Sequence, residues 1–600
     1  MRPARLDDLS PVRFGAWLAA FFGLGLFERL LVPGPPATLS LTDAYYYGRL
    51  AWLSRLSFPA PVTFDTWTGY PGMEVQWPPG HAWLLAAMQA LFGVKAPFSA
   101  DGLAALAWSG PLLSLLGIGV LVAVAARWVG RWAALVLAGA LLVQPLVADV
   151  GQFGEADHHL HEAFFGAAIA LLFVRAAGGG RHSPLRAGLT LGVVAALPYL
   201  FTSSGFLFLP PLAGAVFLTL LVPSPHRLRQ TVLFASACAS SLVVVALGAA
   251  WLGRLGAADY VRLSGFHVGL HAAMLLCFAA LLVVLAPVRA LRRAALGLGL
   301  AALAVASWMG PAIVAEVHRA LGHLGRGSAI LSVAEESSPL FATDLNLALS
   351  QTLVPAVVAL LAAAALHWRA RRTLAWLVPM AGWLAIFAAA TGAQARFARP
   401  LTPIAAVLAG VLVQRFMSTR TPGRLAGITA RLAAVALLVP PPVVLSAYSD
   451  EPARFVQGLA PALAWMRENT PSAGDPTKPS QRPAWAVLAE WQLGHLITAL
   501  AQRPVLASPF GQTPEAEHAA ALARDILKQR SSEEALRTCL EHGLRYLVLY
   551  DPAPDPKSAP PLSLRRKLAS GAPVPGFRPV YVGQLADQGR IPRIFEIAAP

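Results

Sequence analysis

Residues 149–162, DVGQFGEADHHLHE, gather the titratable side chains Glu155, Asp157, His158, His159, His161 and Glu162 directly ahead of an apolar run that begins at Ala163. Ionisable groups at the mouth of a membrane helix must stay wet, find partners or hold a cation, because burying them alone in hydrocarbon costs several kcal/mol. Asp157 and His159 offer one hard oxygen and one imidazole nitrogen two residues apart, a donor pair suited to a divalent metal. A polar helix cap among lipid headgroups would use the same residue types, and nothing inside this stretch assigns Glu155, His158 or His161 a role.

Other residues able to do chemistry lie far away in the chain. Asp43 stands alone among aromatics in LTDAYYYGRLAWL, as a helix cap or a ligand. ILSVAEESSPLF carries Glu335 with Ser332 three positions earlier, a spacing that also describes a capping box. TGAQARFARP puts Arg396 at a membrane boundary, where it suits a fixed phosphate or snorkels from the end of the span. AEWQLGHLI sets Trp491, Gln492 and Gly494 at a strand–helix junction, a turn on which an extended peptide can dock.

The elements that must position these groups follow from composition. Hydrophobic residues make up 56 % of the 600-residue chain and charged residues 13 %, far outside the range of a soluble domain. Thirteen apolar stretches, near 14–32, 104–126, 132–148, 160–174, 187–201, 206–222, 231–252, 270–287, 295–314, 349–366, 373–390, 400–414 and 427–447, predict a polytopic α-helical membrane protein. The formal charge of +16 is carried mainly by arginines in alternate short loops, such as Arg127 and Arg131, Arg289, Arg292 and Arg293, or Arg369, Arg371 and Arg372. The positive-inside rule puts those loops and the N-terminus in the cytoplasm and leaves no need for a nucleic-acid partner. The first apolar segment reads as an uncleaved anchor. Cys238, Cys277 and Cys539 are too few and too scattered for a disulfide framework or a zinc–cysteine site.

With that orientation the loops 33–103, 149–162, 316–348 and the one around Arg396 all fall outside the membrane on one face, as a single active site requires. Beyond about residue 448 the apolar runs stop, and alternating strand and helix patterns predict an α/β soluble domain on that same face. Strands are expected at 485–489, 504–508, 545–550, 577–582 and 593–597, and helices at 456–467, 494–502, 514–529 and 532–542. The chain thus divides at 1–447 and 448–600.

Asp43, Asp157-His158-His159, Ser332-Val333-Ala334-Glu335, Arg396 and the turn Glu490-Trp491-Gln492-Leu493-Gly494, taken in order and in these loops, resemble the catalytic subunit of oligosaccharyltransferase, including its single-subunit bacterial and archaeal forms. The resemblance covers nearly the whole chain and implies a glycosyltransferase-C membrane domain of about thirteen spans, with a C-terminal domain that binds the acceptor. It implies transfer of an oligosaccharide from a polyprenyl-diphosphate carrier to the side-chain amide of an Asn-x-Ser/Thr acceptor, with inversion, in the inner membrane and on its periplasmic side. By the same resemblance Asp43, Asp157 and His159 ligate Mn²⁺ or Mg²⁺, while the histidine leaves Zn²⁺ open. Asp43 and Glu335 engage the acceptor amide, and Arg396 holds the leaving phosphate. The family's Trp-Trp-Asp-Tyr-Gly motif is degraded here: Glu490, Gln492 and Leu493 stand at its first, third and fourth positions. Gln492 accepts a hydroxyl proton only as a neutral group, which weakens Ser/Thr selection. The nearest rival is a glycosyltransferase-C enzyme moving a sugar from a polyprenyl carrier to a lipid or protein hydroxyl, which needs neither Glu335 nor a peptide turn. A transporter is the more distant rival, and no internal repeat supports it.

Overall fold

The computed structural model describes residues 9–30, 39, 42–96, 98–143, 147–148, 150–178, 183–324, 371–418, 451–510, 513–552, 563–586 and 589–598. Helices occupy the expected apolar stretches within these limits, and α2, α3 and the start of α4 add helix inside the expected loop 33–103: α1 (Pro11–Leu30), α2 (Thr42–Ser57), α3 (Pro79–Leu91), α4 (Ala100–Ala107), α5 (Ser109–Trp128), α6 (Arg131–Val143), α7 (Leu160–Ala177), α8 (Pro184–Ala196), α9 (Leu209–Leu220), α10 (Arg227–Trp251), α11 (Gly265–Leu285), α12 (Arg289–Leu324), α13 (Arg371–Ala393) and α14 (Ala398–Ser418). Eight helical segments among the described residues are long and apolar enough to cross a membrane. The stretches 349–366 and 427–447 lie outside the described residues.

Two spans are central. Within the apolar window of α7 78 % of residues are buried, and within that of α14 89 %, against 17 % for α12. Small residues make this possible, since Gly166 of α7 and the Ala-Gly face of α14 let neighbouring backbones approach closely. Asp157–His159 lead into the N-terminal end of α7, and Arg396 and Arg399 sit at the N-terminal end of α14. The most enclosed helices therefore hold the candidate chemistry at their tips. One expectation is corrected: α12 continues to Leu324, past the internal Pro311, so the start of the expected 316–348 loop is helical. There Glu316 and Arg319 form an i,i+3 pair at 2.7 Å.

The C-terminal part builds a mixed sheet from β3 (Ala486–Leu488), β4 (Leu544–Pro552), β5 (Phe577–Val582) and β6 (Arg590–Ile597), in the order β3-β4-β6-β5. β3 runs parallel to β4, and β6 pairs antiparallel with both β4 and β5. Helices α15 (Glu451–Asn469), α16 (Pro514–Lys528), α17 (Ser532–Glu541) and α18 (Leu564–Ala569) accompany the sheet. The expected strand at 504–508 contributes a single parallel bridge, Val505 to Val487. Its remaining hydrogen-bonding capacity is turned toward the first loop: Val505 N–H donates to the Trp67 carbonyl, and Tyr70 N–H donates to the Val505 carbonyl.

That stitching recurs along the first loop, which holds the short hairpin β1 (Phe64–Asp65) and β2 (Met73–Glu74). Thr66 N–H donates to the Pro479 carbonyl, the Thr66 hydroxyl to the Gln481 carbonyl, and the Gln76 amide to Thr513 Oγ1. At the centre Arg49 forms a bidentate pair with Asp65, with N–O distances of 3.2 and 3.0 Å, and donates at 2.7 Å to the Pro476 carbonyl. Asp65 is fully buried and also accepts from Trp67 N–H. Arg254 and Arg262 clamp Glu74, tying the α10–α11 connection to the same hairpin.

Breaking a buried pair leaves one uncompensated charge, which typically costs about 3–5 kcal/mol. Asp65→Asn is therefore expected to lower the thermal midpoint of the purified protein by several degrees, and Arg49→Met combined with Asp65→Leu to recover much of the loss. A single variant as stable as wild type would show that the pair does not hold the loop.

Candidate active site

Asp43 sits in the first turn of α2, and Tyr47, one helical turn on, shares its face. Tyr47 stacks on Trp77, with ring centroids 4.4 Å apart, and meets His81 edge-on at 4.7 Å and His158 at 5.5 Å. Burial holds the Tyr47 phenol well above its ordinary pKa, and the carboxylates of Asp157, Asp43 and Glu162 push it further. Asp43 and Asp157, more than a hundred residues apart in the chain, thus both bear on one buried hydroxyl.

The loop before α7 is held from below. Phe153 N–H donates to the Arg29 carbonyl and Gly154 N–H to the Ala107 carbonyl. Gly110 lets the loop lie directly on α5, because a Cβ there would come within 2.5 Å of the Gln152 and Glu155 carbonyls. Above it Asp157, His158 and His159 bring one ligand atom each to within 4.8 Å of one another, the metal-compatible group found among the described residues. His158 Nδ1 lies 2.7 Å from Asp157 Oδ1, and His159 Nε2 lies 3.9 Å from Asp157 Oδ2.

Glu162 and His81, which sequence reasoning did not select, complete the arrangement. Glu162 Oε1 lies 3.1 Å from His159 Nδ1 and accepts from the Ser204 hydroxyl at 2.6 Å. The spacing i,i+3 from His159 was the available signal. With Nδ1 facing the Glu162 carboxylate, His159 turns Nε2 toward Asp157. His81 is buried, and burial pushes its pKa down to about 4, so the ring is neutral. Its Nε2 lies 3.0 Å from the Ala156 carbonyl and must carry the proton, leaving Nδ1 to accept from His161 Nε2 at 2.9 Å. His81 and His161 thereby pin the residue preceding Asp157 to the start of α3.

The charges suit a cation. Although burial opposes it, His159 and His158 beside Asp157 hold that carboxyl well below its usual range. Burial pushes the His158 imidazole down, and His159 adds to this. Burial also works against charge on His159, yet Asp157 and Glu162 raise it to about 9. At neutral pH the His159 imidazole therefore keeps its second proton beside two carboxylates. Of the two arginines, Arg399 projects its charge onto Asp157 and His159, whereas Arg396 acts on Tyr260 and lies 5.3 Å over the Phe397 ring. Ser332 and Glu335 lie outside the described residues.

At the C-terminal turn Trp491 and Leu493 begin and end a short 3-10 segment that leads into Gly494. A Cβ on Gly494 would lie 2.3 Å from the Ala507 carbonyl, so glycine is required there for packing. Gln492 Nε2 donates to Glu490 Oε2 at 3.2 Å, and Glu490 is paired with Arg565, which also binds Asp551. The Gln492 side-chain carbonyl remains as its acceptor.

A family model described as dolichyl-phosphate-mannose-protein mannosyltransferase matches residues 76–251. No curated protein sequence matches the chain. Among solved structures the chain is similar to the oligosaccharyltransferase of Archaeoglobus fulgidus in its apo form, with a TM-score of 0.69 and 19 % identity over 90 % of this chain and 70 % of that one. The archaeal oligosaccharyltransferase AglB of A. fulgidus with an inhibitory peptide and a dolichol-phosphate gives a TM-score of 0.67 and 18 % identity, over 89 % and 69 %. The A. fulgidus enzyme with Zn and sulfate gives 0.63 and 19 %, over 89 % and 67 %. The chain shares the fold of that membrane glycosyltransferase.

Because an ion must displace the His159 proton, divalent-metal binding at pH 7 is expected to release about one proton, and affinity to rise about tenfold per pH unit before levelling near pH 9. Mn²⁺ titrations followed by electron paramagnetic resonance at pH 6, 7 and 8 test this. A pH-independent affinity would remove His159 from the ligand set.

Proposed function

We propose that this chain moves a glycan en bloc from a polyprenyl-diphosphate carrier to the side-chain amide of asparagine in Asn-x-Ser/Thr acceptors, with inversion at the anomeric carbon. The observation that carries the reading is that Asp43, the Asp157–His159 cluster and the turn at 491–495 meet around the buried rings of Tyr46, Tyr47 and Trp77. The fold shared with the archaeal oligosaccharyltransferase, whose solved forms include a dolichol-phosphate and a peptide, supports it.

An amide nitrogen is a poor nucleophile because its lone pair is delocalised into the carbonyl. Asp43 and Glu335, from separate loops, accept hydrogen bonds from the two amide hydrogens and draw the nitrogen out of conjugation. Asp43, Asp157 and His159 are the residues that would hold the metal. A divalent cation, Mn²⁺ or Mg²⁺ on this oxygen-rich set, supplies Lewis-acid neutralisation of the leaving diphosphate when bound. Glu162 keeps the His159 tautomer in place, and Arg396 and Arg399 offset the charge of the departing phosphates from the tip of α14. Trp491 and Gln492 meet the acceptor, with the Gln492 carbonyl accepting from the Ser or Thr hydroxyl. A neutral acceptor there makes discrimination weaker than a carboxylate would.

We assign residues 1–447 to the membrane-embedded catalytic part and 448–600 to an external domain. The protein then acts as a single subunit in the inner membrane, with its site facing the periplasm. A second reading has a specific observation behind it. The mannosyltransferase model spans α3 to α10 and includes the Asp157 cluster, so the same core could serve a hydroxyl acceptor on a protein or lipid.

Purified protein with a polyprenyl-diphosphate oligosaccharide, Mn²⁺ and peptides bearing Asn-x-Thr or Gln-x-Thr separates the two. Transfer to the first peptide only is expected; transfer to hydroxyl acceptors alone would establish the second reading. Asp157→Asn and Glu335→Gln should each reduce transfer by more than about 100-fold, beyond the range of outer-shell substitutions. Undiminished turnover in Glu335→Gln would take that residue out of the mechanism.

A further inference from the structure

His495 immediately follows the turn Trp491–Gly494 and is fully buried. Its ring lies nearly parallel to Tyr46, with centroids 4.8 Å apart and planes 29° apart, and packs edge-on against Phe510 at 4.9 Å. An imidazole in so enclosed a place offers an N–H donor to any acceptor that comes within reach. Among the described residues neither ring nitrogen has a hydrogen-bond partner. Buried polar groups in folded proteins rarely go unpaired, and one that does at a functional site points to a partner acquired during function. His495 Nε2 lies 3.9 Å from Asp43 Oδ1, about 1 Å beyond hydrogen-bond reach.

We propose that His495 is a positioning residue that donates from Nε2 to Asp43 Oδ1 when the acceptor seats on the 491–494 turn, fixing the carboxylate so that its other oxygen faces the reacting amide and the cation. This rests on the role proposed for Asp43. It assigns His495 a reason to be histidine rather than another aromatic in a site otherwise lined by Tyr46, Trp77 and Phe510. It also couples recognition to chemistry, because the donor belongs to the same short segment as the acceptor turn. Recognition of the acceptor hydroxyl at Gln492 and orientation of the carboxylate at Asp43 become one event, separated by three residues of chain.

The test compares full-length wild type with His495→Phe, which keeps the aromatic packing and removes the donor, and His495→Gln, which returns an N–H. Thermal midpoint, kcat, peptide KM and Mn²⁺ affinity are measured for each. The expected result is a kcat lower by about 10–100-fold in His495→Phe with a midpoint within a few degrees of wild type, and recovery of at least half that loss in His495→Gln. Wild-type kcat in His495→Phe overturns the proposal. So does an equal loss in both variants accompanied by a fallen midpoint, which marks His495 as packing alone. If wild type transfers only to a hydroxyl acceptor, the amide reading fails, and the same comparison on that acceptor decides His495. If wild type transfers to neither, Mn²⁺ affinity decides, with a several-fold weakening in His495→Phe supporting the proposal and an unchanged value overturning it.

Discussion

A guanidinium and a carboxylate enclosed together, Arg49 and Asp65, decide where the first loop of this protein lies. Neither is tolerable alone in so dry a place, and the pair is stable only with both partners and the surrounding acceptors in position. Arg49 also reaches the Pro476 carbonyl, so the loop between the first two long helices and the C-terminal region cannot be arranged independently. Backbone bonds from Thr66 and Tyr70 to Pro479 and Val505 continue the same seam. α2 is thereby held as a rigid bracket, with Asp43 at its tip and Tyr46 and Tyr47 on its inner face.

The rest of the site is positioned against that bracket. Tyr47 and Trp77 form a dry aromatic floor on which His81 and His158 rest, and His81 secures the Ala156 carbonyl. The contacts from this floor and from His81 come from other elements, so the loop before α7 is defined by packing and not by the helix end alone. Glu162, seated by Ser204, supplies the last constraint by taking one nitrogen of His159. A site assembled this way accepts a charged ligand at little reorganisation cost, because its dipoles are already aimed.

Enclosure of α7 and α14 has a complementary effect. Helices surrounded on most sides cannot tilt freely, and their N-terminal ends carry opposite chemistry: acid and imidazole at α7, guanidinium at α14. The Arg399 charge is among those that hold the Asp157 carboxyl low, so the tip of α14 bears electrostatically on the acid ahead of α7.

Apolar runs of near-bilayer length, the arginine-rich alternate loops and the strand–helix alternation after residue 448 were legible in the chain because each is a local pattern repeated along consecutive residues. The placement of β3 through β6 follows from alternation in the same way. Asp43, Asp157 and His159 were legible as ionisable residues out of place beside apolar runs. Partnership was not legible. That His81 serves Ala156, that Gly494 is glycine to clear Ala507, that Arg399 lies nearer the acids in effect than Arg396, and that His495 stands over Asp43 are all contacts between separate segments, whereas the i,i+3 spacing of His159 and Glu162 was on view in the chain. No periodicity records them, because burial and the seam between the first loop and the C-terminal sheet decide which polar groups meet. Residue types and hydrophobic period are properties of the chain itself; the geometry of a site made from five separate stretches exists only once the helices have packed.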